Sequence, residues 1–227
     1  MVMSHNDTPS VEVRRGVDDH EVSAFATKHA LKPIVARLLL ARGVTDDELP
    51  HLLHADLDSM RDPSTMAGFP EAMRLLELAV TEGWRVGIFG DYDVDGVTTA
   101  TIMSTYLEDL GVDVVSRVAQ RARGYGLGII DCAEFVHEDS VQLMVIGDCG
   151  TSDIAALTYL RDHGVATIVL DHHQVPETMP PCDALINPHQ DDCRFPFKGL
   201  CSGGVAFYIC SALQDHLEAA GHKQIPN

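Results

Sequence analysis

From residue 85 onward, short apolar runs alternate with longer amphipathic stretches, and few folds can accommodate that alternation. The runs at 86–89, 112–118, 141–146 and 165–170 have strand length and carry Val and Ile. Helical spacing follows them at 97–110, 126–135 and 152–163, with Gly111 and Gly164 as stop signals. Parallel neighbours need long crossovers, and strands covered on both faces read as continuous apolar runs. The pattern predicts an α/β, doubly wound, mainly parallel five-stranded sheet, with a short fifth strand at 184–186 and a last helix over 203–220.

The chain before the sheet reads differently. Residues 1–20 are polar and aperiodic and are expected to be loose. Helical spacing over 21–40, an N-cap box at Thr45-Asp46-Asp47-Glu48 and an amphipathic helix over 71–82 predict an amino-terminal helical cap at 21–83, ahead of an α/β domain at 84–227. The bland reading of that cap is packing; the sharper one is that it borders a substrate groove.

Polar residues interrupt the apolar pattern at the carboxyl ends of the strands, where open α/β sheets bind ligands. The first strand delivers Asp91, Asp93 and Asp95, the second Arg121, Arg123 and Gly124-Tyr125-Gly126, the third Asp148-Cys149-Gly150, and the fourth Asp171-His172-His173. Carboxylates this close repel unless a cation is shared. Asp91, Asp93, Asp95, Asp148 and His172 therefore form a candidate shell for Mn²⁺ or Mg²⁺, with the imidazole favouring Mn²⁺. Two ions about 4 Å apart would suit phosphoryl transfer to water. Arg121 and Arg123 are candidates to meet phosphate. The amides of Ser202-Gly203-Gly204, opening the last helix, could hold a phosphate oxygen, or the glycines could serve close packing. Tyr92 packs or stacks on a base.

The formal net charge is −18, with 16 Lys+Arg against 34 Asp+Glu. This excludes wrapping of nucleic acid by bulk electrostatics but leaves room for a local basic groove or metal-bridged phosphates. The six cysteines include no CxxC pair, and no secretory signal or membrane-spanning run is visible. A reducing, cytoplasmic protein with isolated thiols is expected, in preference to a zinc site built from Cys193, Cys201 and a histidine.

Asp91-Tyr92-Asp93-Val94-Asp95-Gly96, Asp148-Cys149-Gly150 and Asp171-His172-His173 together resemble the DHH phosphoesterase superfamily, and within it the RecJ-type single-strand-specific DNA exonucleases. Supporting segments are Arg121 ahead of Gly124-Tyr125-Gly126-Leu127, Asn187-Pro188, and Cys201-Ser202-Gly203-Gly204-Val205-Ala206. The resemblance implies metal-dependent phosphodiester hydrolysis, 5′ to 3′ on single-stranded DNA. It implies that Asp93, Asp95, Asp148 and His172 are metal ligands, with Asp148 shared by two ions and Asp91 a direct or supporting ligand. His173 would contact the scissile phosphate and Asp171 would orient the histidines. Phe89 stands where the superfamily's pyrophosphatase branch has a His, so the first ion would be held more weakly or through Asp91. The resemblance further implies a monomer with no membrane association and a single-strand-binding protein or helicase as partner. RecJ-type chains continue into a further Asp-bearing motif and a second domain, so this chain is expected to be the amino-terminal part of a catalytic core, with weak or absent activity alone. The alternatives are a DHH phosphoesterase acting on small phosphate esters or short oligonucleotides, and a non-catalytic nucleic-acid or protein-binding domain.

Overall fold

A computed structural model of the protein describes residues 16–53, 57 and 60–222. Of the start expected to be loose over 1–20, residues 1–15 lie outside the described residues, as does the polar end at 223–227, while Asp19 and His20 already belong to a helix. The chain divides into two compact units between Met60 and Arg61.

The first unit carries α1 (Asp19–Lys28), α2 (Pro33–Ala41) and α3 (Leu49–Leu53). Val22, Ala26 and Ala36 form its small buried core. The helical spacing at 21–40 is thus two helices rather than one. Pro33 has no amide hydrogen and occupies the first turn of α2, and Ala30 adopts φ 52 in the connection.

The second unit begins before α4 (Phe69–Thr81), which the amphipathic pattern alone had grouped with the cap. Ala72, Leu75, Leu76 and Ala79 of α4 share a buried cluster with Ile88 and Leu143 of the sheet, so this helix is a layer of the α/β unit. Next come β1 (Arg85–Gly90), α5 (Val94–Asp109), β2 (Asp113–Val118), α6 (Ile129–Ala133), β3 (Leu143–Gly147), α7 (Ile154–Asp162), β4 (Ala166–Leu170), β5 (Ala184–Ile186) and α8 (Ser202–Ala219). The five strands are all parallel in the order β2-β1-β3-β4-β5. The fold is the doubly wound α/β sheet that the alternation predicts.

Alternate residues of each strand face opposite layers. Ile88, Val145 and Ile168 pack with Met103 and Leu107 of α5 and Val205 and Ile209 of α8. Phe89, Met144, Ile146 and Val169 pack with Cys132 of α6 and Leu157 and Leu160 of α7. Each fully buried Leu, Ile or Phe contributes on the order of 1.5–3 kcal/mol. All six cysteines are free. Among the described residues no helix is long and apolar enough to cross a membrane.

Strand order reverses between β1 and β3, which opens the crevice at their carboxyl ends. α5 rises directly from the end of β1 through two close backbone approaches. A Cβ on Gly96 would lie 2.4 Å from the Asp91 carbonyl oxygen, and one on Gly90 would lie 2.3 Å from that of Gly96. α5 also starts at Val94, earlier than the apolar spacing from 97 suggests, because Asp93 caps it.

Candidate metal centre

The centre assembles from the turns after β1, β3 and β4. Asp91 continues the strand ladder, its amide donating to the Gly147 carbonyl at 3.1 Å. Its side chain is buried, and Oδ1 has no hydrogen-bond partner among the described residues. An orphaned buried carboxylate oxygen costs several kcal/mol unless a cation answers it. Asp93 Oδ1 accepts the amides of Asp95 at 2.9 Å and Gly96 at 3.0 Å. The Gly96 amide, with a hydrogen bond from Asp148 and the Asp95 amide, holds the Asp93 carboxyl below the usual range against the effect of burial.

After β3, Asp148 adopts φ 61, a left-handed conformation that costs a non-glycine residue. Its amide donates to the Leu170 carbonyl at 2.9 Å, which places the turn on the β4 side of the crevice. Asp148 Oδ1 accepts from Ser202 Oγ at 3.1 Å and lies 3.3 Å from His172 Nε2. Burial pushes the Asp148 carboxyl up to about 7, helped by the hydrogen bond it shares with Asp93 and by the charges of Asp95 and Asp93.

After β4, Asp171 serves as the acceptor hub. Oδ1 takes the His172 amide at 2.7 Å, the His173 amide at 3.2 Å and His173 Nδ1–H at 2.7 Å, and Oδ2 takes the Thr151 amide at 3.2 Å. The Asp171 contact places the His173 proton on Nδ1 and turns Nε2 toward the rim. There Nε2 meets the Tyr125 hydroxyl at 3.2 Å, and that hydroxyl lies 3.3 Å from the Asp148 carbonyl oxygen. Burial opposes a charge on His173, but the Asp171 hydrogen bond and the charges of Asp171, Asp148 and Asp93 raise its pKa overall.

Two groups of donors result. Ligand atoms of Asp91, Asp93 and Asp148 lie within 4.8 Å of one another, and so do those of Asp148, His172 and His173. Asp148 belongs to both. Oxygen donors with one or two imidazoles suit a hard or borderline divalent cation, and the unpartnered oxygen of Asp91 fits the same group.

Other expected residues fall elsewhere. Asp95 lies outside both donor groups: Oδ2 accepts the Ser202 amide and Oδ1 the Gly203 amide, each at 2.8 Å, while Oδ2 sits 3.6 Å from His172 Nε2. The amides expected to receive a phosphate are therefore held by a carboxylate of the chain, and the Gly204 amide faces Cys201 Sγ. Arg123 is occupied as well, at 2.7 Å from Asp131 and 3.1 Å from Glu134, because α6 and the residue that caps its end bring both acids beneath it. Arg121 lies over the Tyr92 ring at 4.9 Å and has no carboxylate partner among the described residues.

Sequence reasoning missed three supports. The Tyr125 hydroxyl joins the β3 and β4 turns. Asn187 Nδ2 donates to the His173 carbonyl at 2.9 Å and to Thr151 Oγ1 at 3.3 Å. Asp153 Oδ2 accepts the Leu127 amide at 2.9 Å and the Gly150 amide at 3.0 Å, tying the segment after Tyr125 to the Asp148 turn. Asn187 follows β5 as Asp148 follows β3, so its place on the rim was available from strand register alone.

The family described as "DHH family, N-terminal domain" matches residues 85–226. The Haemophilus influenzae single-stranded-DNA-specific exonuclease RecJ is 37% identical over 191 residues, 83% of this chain and 32% of that protein. A crystal structure of exonuclease RecJ bound to manganese superposes with TM-score 0.62 at 32% identity, covering 73% of this chain and 41% of that one. RecJ from Thermus thermophilus in complex with Mn²⁺ gives TM-score 0.66 at 28% identity, covering 91% and 28% respectively. The chain spans about a third of the length of the curated relatives it matches.

Proposed function

Because the chain belongs to the DHH family, we propose that its rim is the metal-dependent phosphodiesterase centre of a RecJ-type exonuclease, which shortens single-stranded DNA from the 5′ end. The observation that carries this reading is Asp148, common to two donor groups, one of which includes Asp91 with its unpartnered buried oxygen. The similarity to RecJ proteins supports single-stranded DNA as substrate.

In this reading Asp91, Asp93, Asp148 and His172 would hold divalent cations, Asp148 belonging to both donor groups, and Asp95 would complete the acidic wall. Bound cations of this kind neutralise phosphodiester oxyanions and acidify water. His173 has its Nδ1 proton fixed on Asp171 and presents Nε2 to the substrate phosphate; when protonated, it donates a hydrogen bond there. Tyr125 holds that ring edge in place. Arg121, braced on Tyr92 and with no carboxylate partner among the described residues, offers its guanidinium to a phosphate. Arg123 stays with Asp131 and Glu134 and keeps α6 in register.

The test uses the complete gene product with Mn²⁺ and 5′-labelled single strands, duplexes and dinucleotides. Wild type should release mononucleotides from single strands only. Asp148→Ala should lose activity by at least about 100-fold while still binding DNA. Preference for dinucleotides would shift the reading to small phosphodiesters, and full activity in Asp148→Ala would overturn it.

A further inference from the structure

The first turn of α8 is engaged on two of the acidic residues of the rim. Ser202 is fully buried. Its amide donates to Asp95 Oδ2 at 2.8 Å, and its hydroxyl donates to Asp148 Oδ1 at 3.1 Å. One residue thus spans a carboxylate on α5 and a carboxylate after β3. The Gly203 amide takes the other oxygen of Asp95. A Cβ at Gly203 would come 3.2 Å from Asp95 Oδ1 and 3.2 Å from Thr98 Cγ2, so the approach of α8 to α5 is already tight. α8 runs for 18 residues, and its amino terminus adds partial positive charge between two groups that otherwise repel.

We propose that Ser202 is a positioning residue of the metal centre, fixing the spacing of Asp95 and Asp148 and thereby setting divalent-cation affinity rather than contacting DNA. The inference rests on the metal-centre reading above. Its physical basis is that Asp148 is shared by both donor groups and has Ser202 as its neutral hydroxyl donor. Without that donor Asp148 keeps only its hydrogen bond with Asp93 and its contact with His172, and its orientation is less firmly set. Hydrogen bonds that orient ligating carboxylates change metal affinity about 10- to 100-fold when removed.

The experiment compares wild type, Ser202→Ala, Ser202→Thr and Gly203→Ala in the complete gene product. Mn²⁺ binding is followed by EPR titration without DNA, and KM for a 5′-labelled single strand is measured at saturating Mn²⁺. Ser202→Ala should bind Mn²⁺ at least about tenfold more weakly with KM within about twofold of wild type. Ser202→Thr, which keeps the hydroxyl, should recover the affinity. If Ser202→Ala does not fold, Gly203→Ala decides the question, because its methyl presses on Asp95 while the hydroxyl remains; it too should weaken Mn²⁺ binding without raising KM. Unchanged Mn²⁺ affinity in the folded variants, or a raised KM with unchanged Mn²⁺ affinity, would overturn the assignment. A wild type that binds no Mn²⁺ would instead remove the metal-centre reading on which it stands.

Discussion

Asp148 and Asp171 end neighbouring strands and are equally buried, each 1% exposed, yet their carboxyls move in opposite directions. Burial lifts Asp148 to about 7, and Asp93 and Asp95 add to the rise. Burial pushes Asp171 the same way, but hydrogen bonds from Thr151, His173 and the His172 and His173 amides outweigh it and hold its pKa below the usual carboxylate value. Local donors decide the sign of the shift, while depth decides only how much is at stake. Asp171 is saturated with donors and acts as a brace. Asp148 has few donors and faces other acids, which is the condition that favours a cation.

The largest expected contrast is between the two charge-removing variants of the metal-free protein. Asp171→Asn puts an amide NH₂ among four donors and should destabilise by about 2–4 kcal/mol. Asp148→Asn removes repulsion and should be neutral or stabilising at pH 8, while abolishing tight Mn²⁺ binding. Urea unfolding and Mn²⁺ titration measure both, and equal destabilisation would break the comparison.

Next in size is pH dependence. A carboxyl whose folded pKa lies above its unfolded value takes up protons on folding, so it favours the folded state on the acid side. The Asp148 contribution should make the metal-free protein lose stability as pH rises from about 4 to about 7, by up to about 4 kcal/mol. Asp171 works the other way: its contribution is present above about pH 4 and is lost as pH falls through its lowered folded value. Denaturant melts across this range should show the loss between pH 4 and 7 in wild type and its disappearance in Asp148→Asn. A slope that persists in that variant would place the effect on other groups.

The smallest effect belongs to Tyr125, whose hydroxyl touches the ring held by Asp171 and the carbonyl of Asp148. Tyr125→Phe should cost under about 1 kcal/mol of stability and lower kcat a few-fold with Mn²⁺ affinity unchanged. A large loss of Mn²⁺ affinity would mean that the two turns are not independent.

Much of this rim could be read before any coordinates. The Val-Gly-Ile-Phe run of β1 predicts a buried strand, and three acids at alternate positions after it predict a ligand edge, because strand polarity alone sends every such turn to one side of a parallel sheet. The helical spacing over 21–40 does not by itself show the break between α1 and α2, which Pro33 marks. Arg123 could not be separated from Arg121 by its immediate neighbours, because its partners Asp131 and Glu134 lie 8 and 11 residues away across a turn of irregular geometry.

Periodicity and residue chemistry thus carried the α/β layering and the acidic, histidine-bearing edge, since both depend on local spacing and on the fixed direction of parallel strands. Which anion the α8 amides would receive was settled only by packing. Ser202-Gly203-Gly204 advertises free N–H groups to any acceptor, and Asp95 receives two of them only because α8 docks on α5, 107 positions away along the chain. A donor's identity is local, but its partner is a matter of which surfaces burial brings within 3 Å.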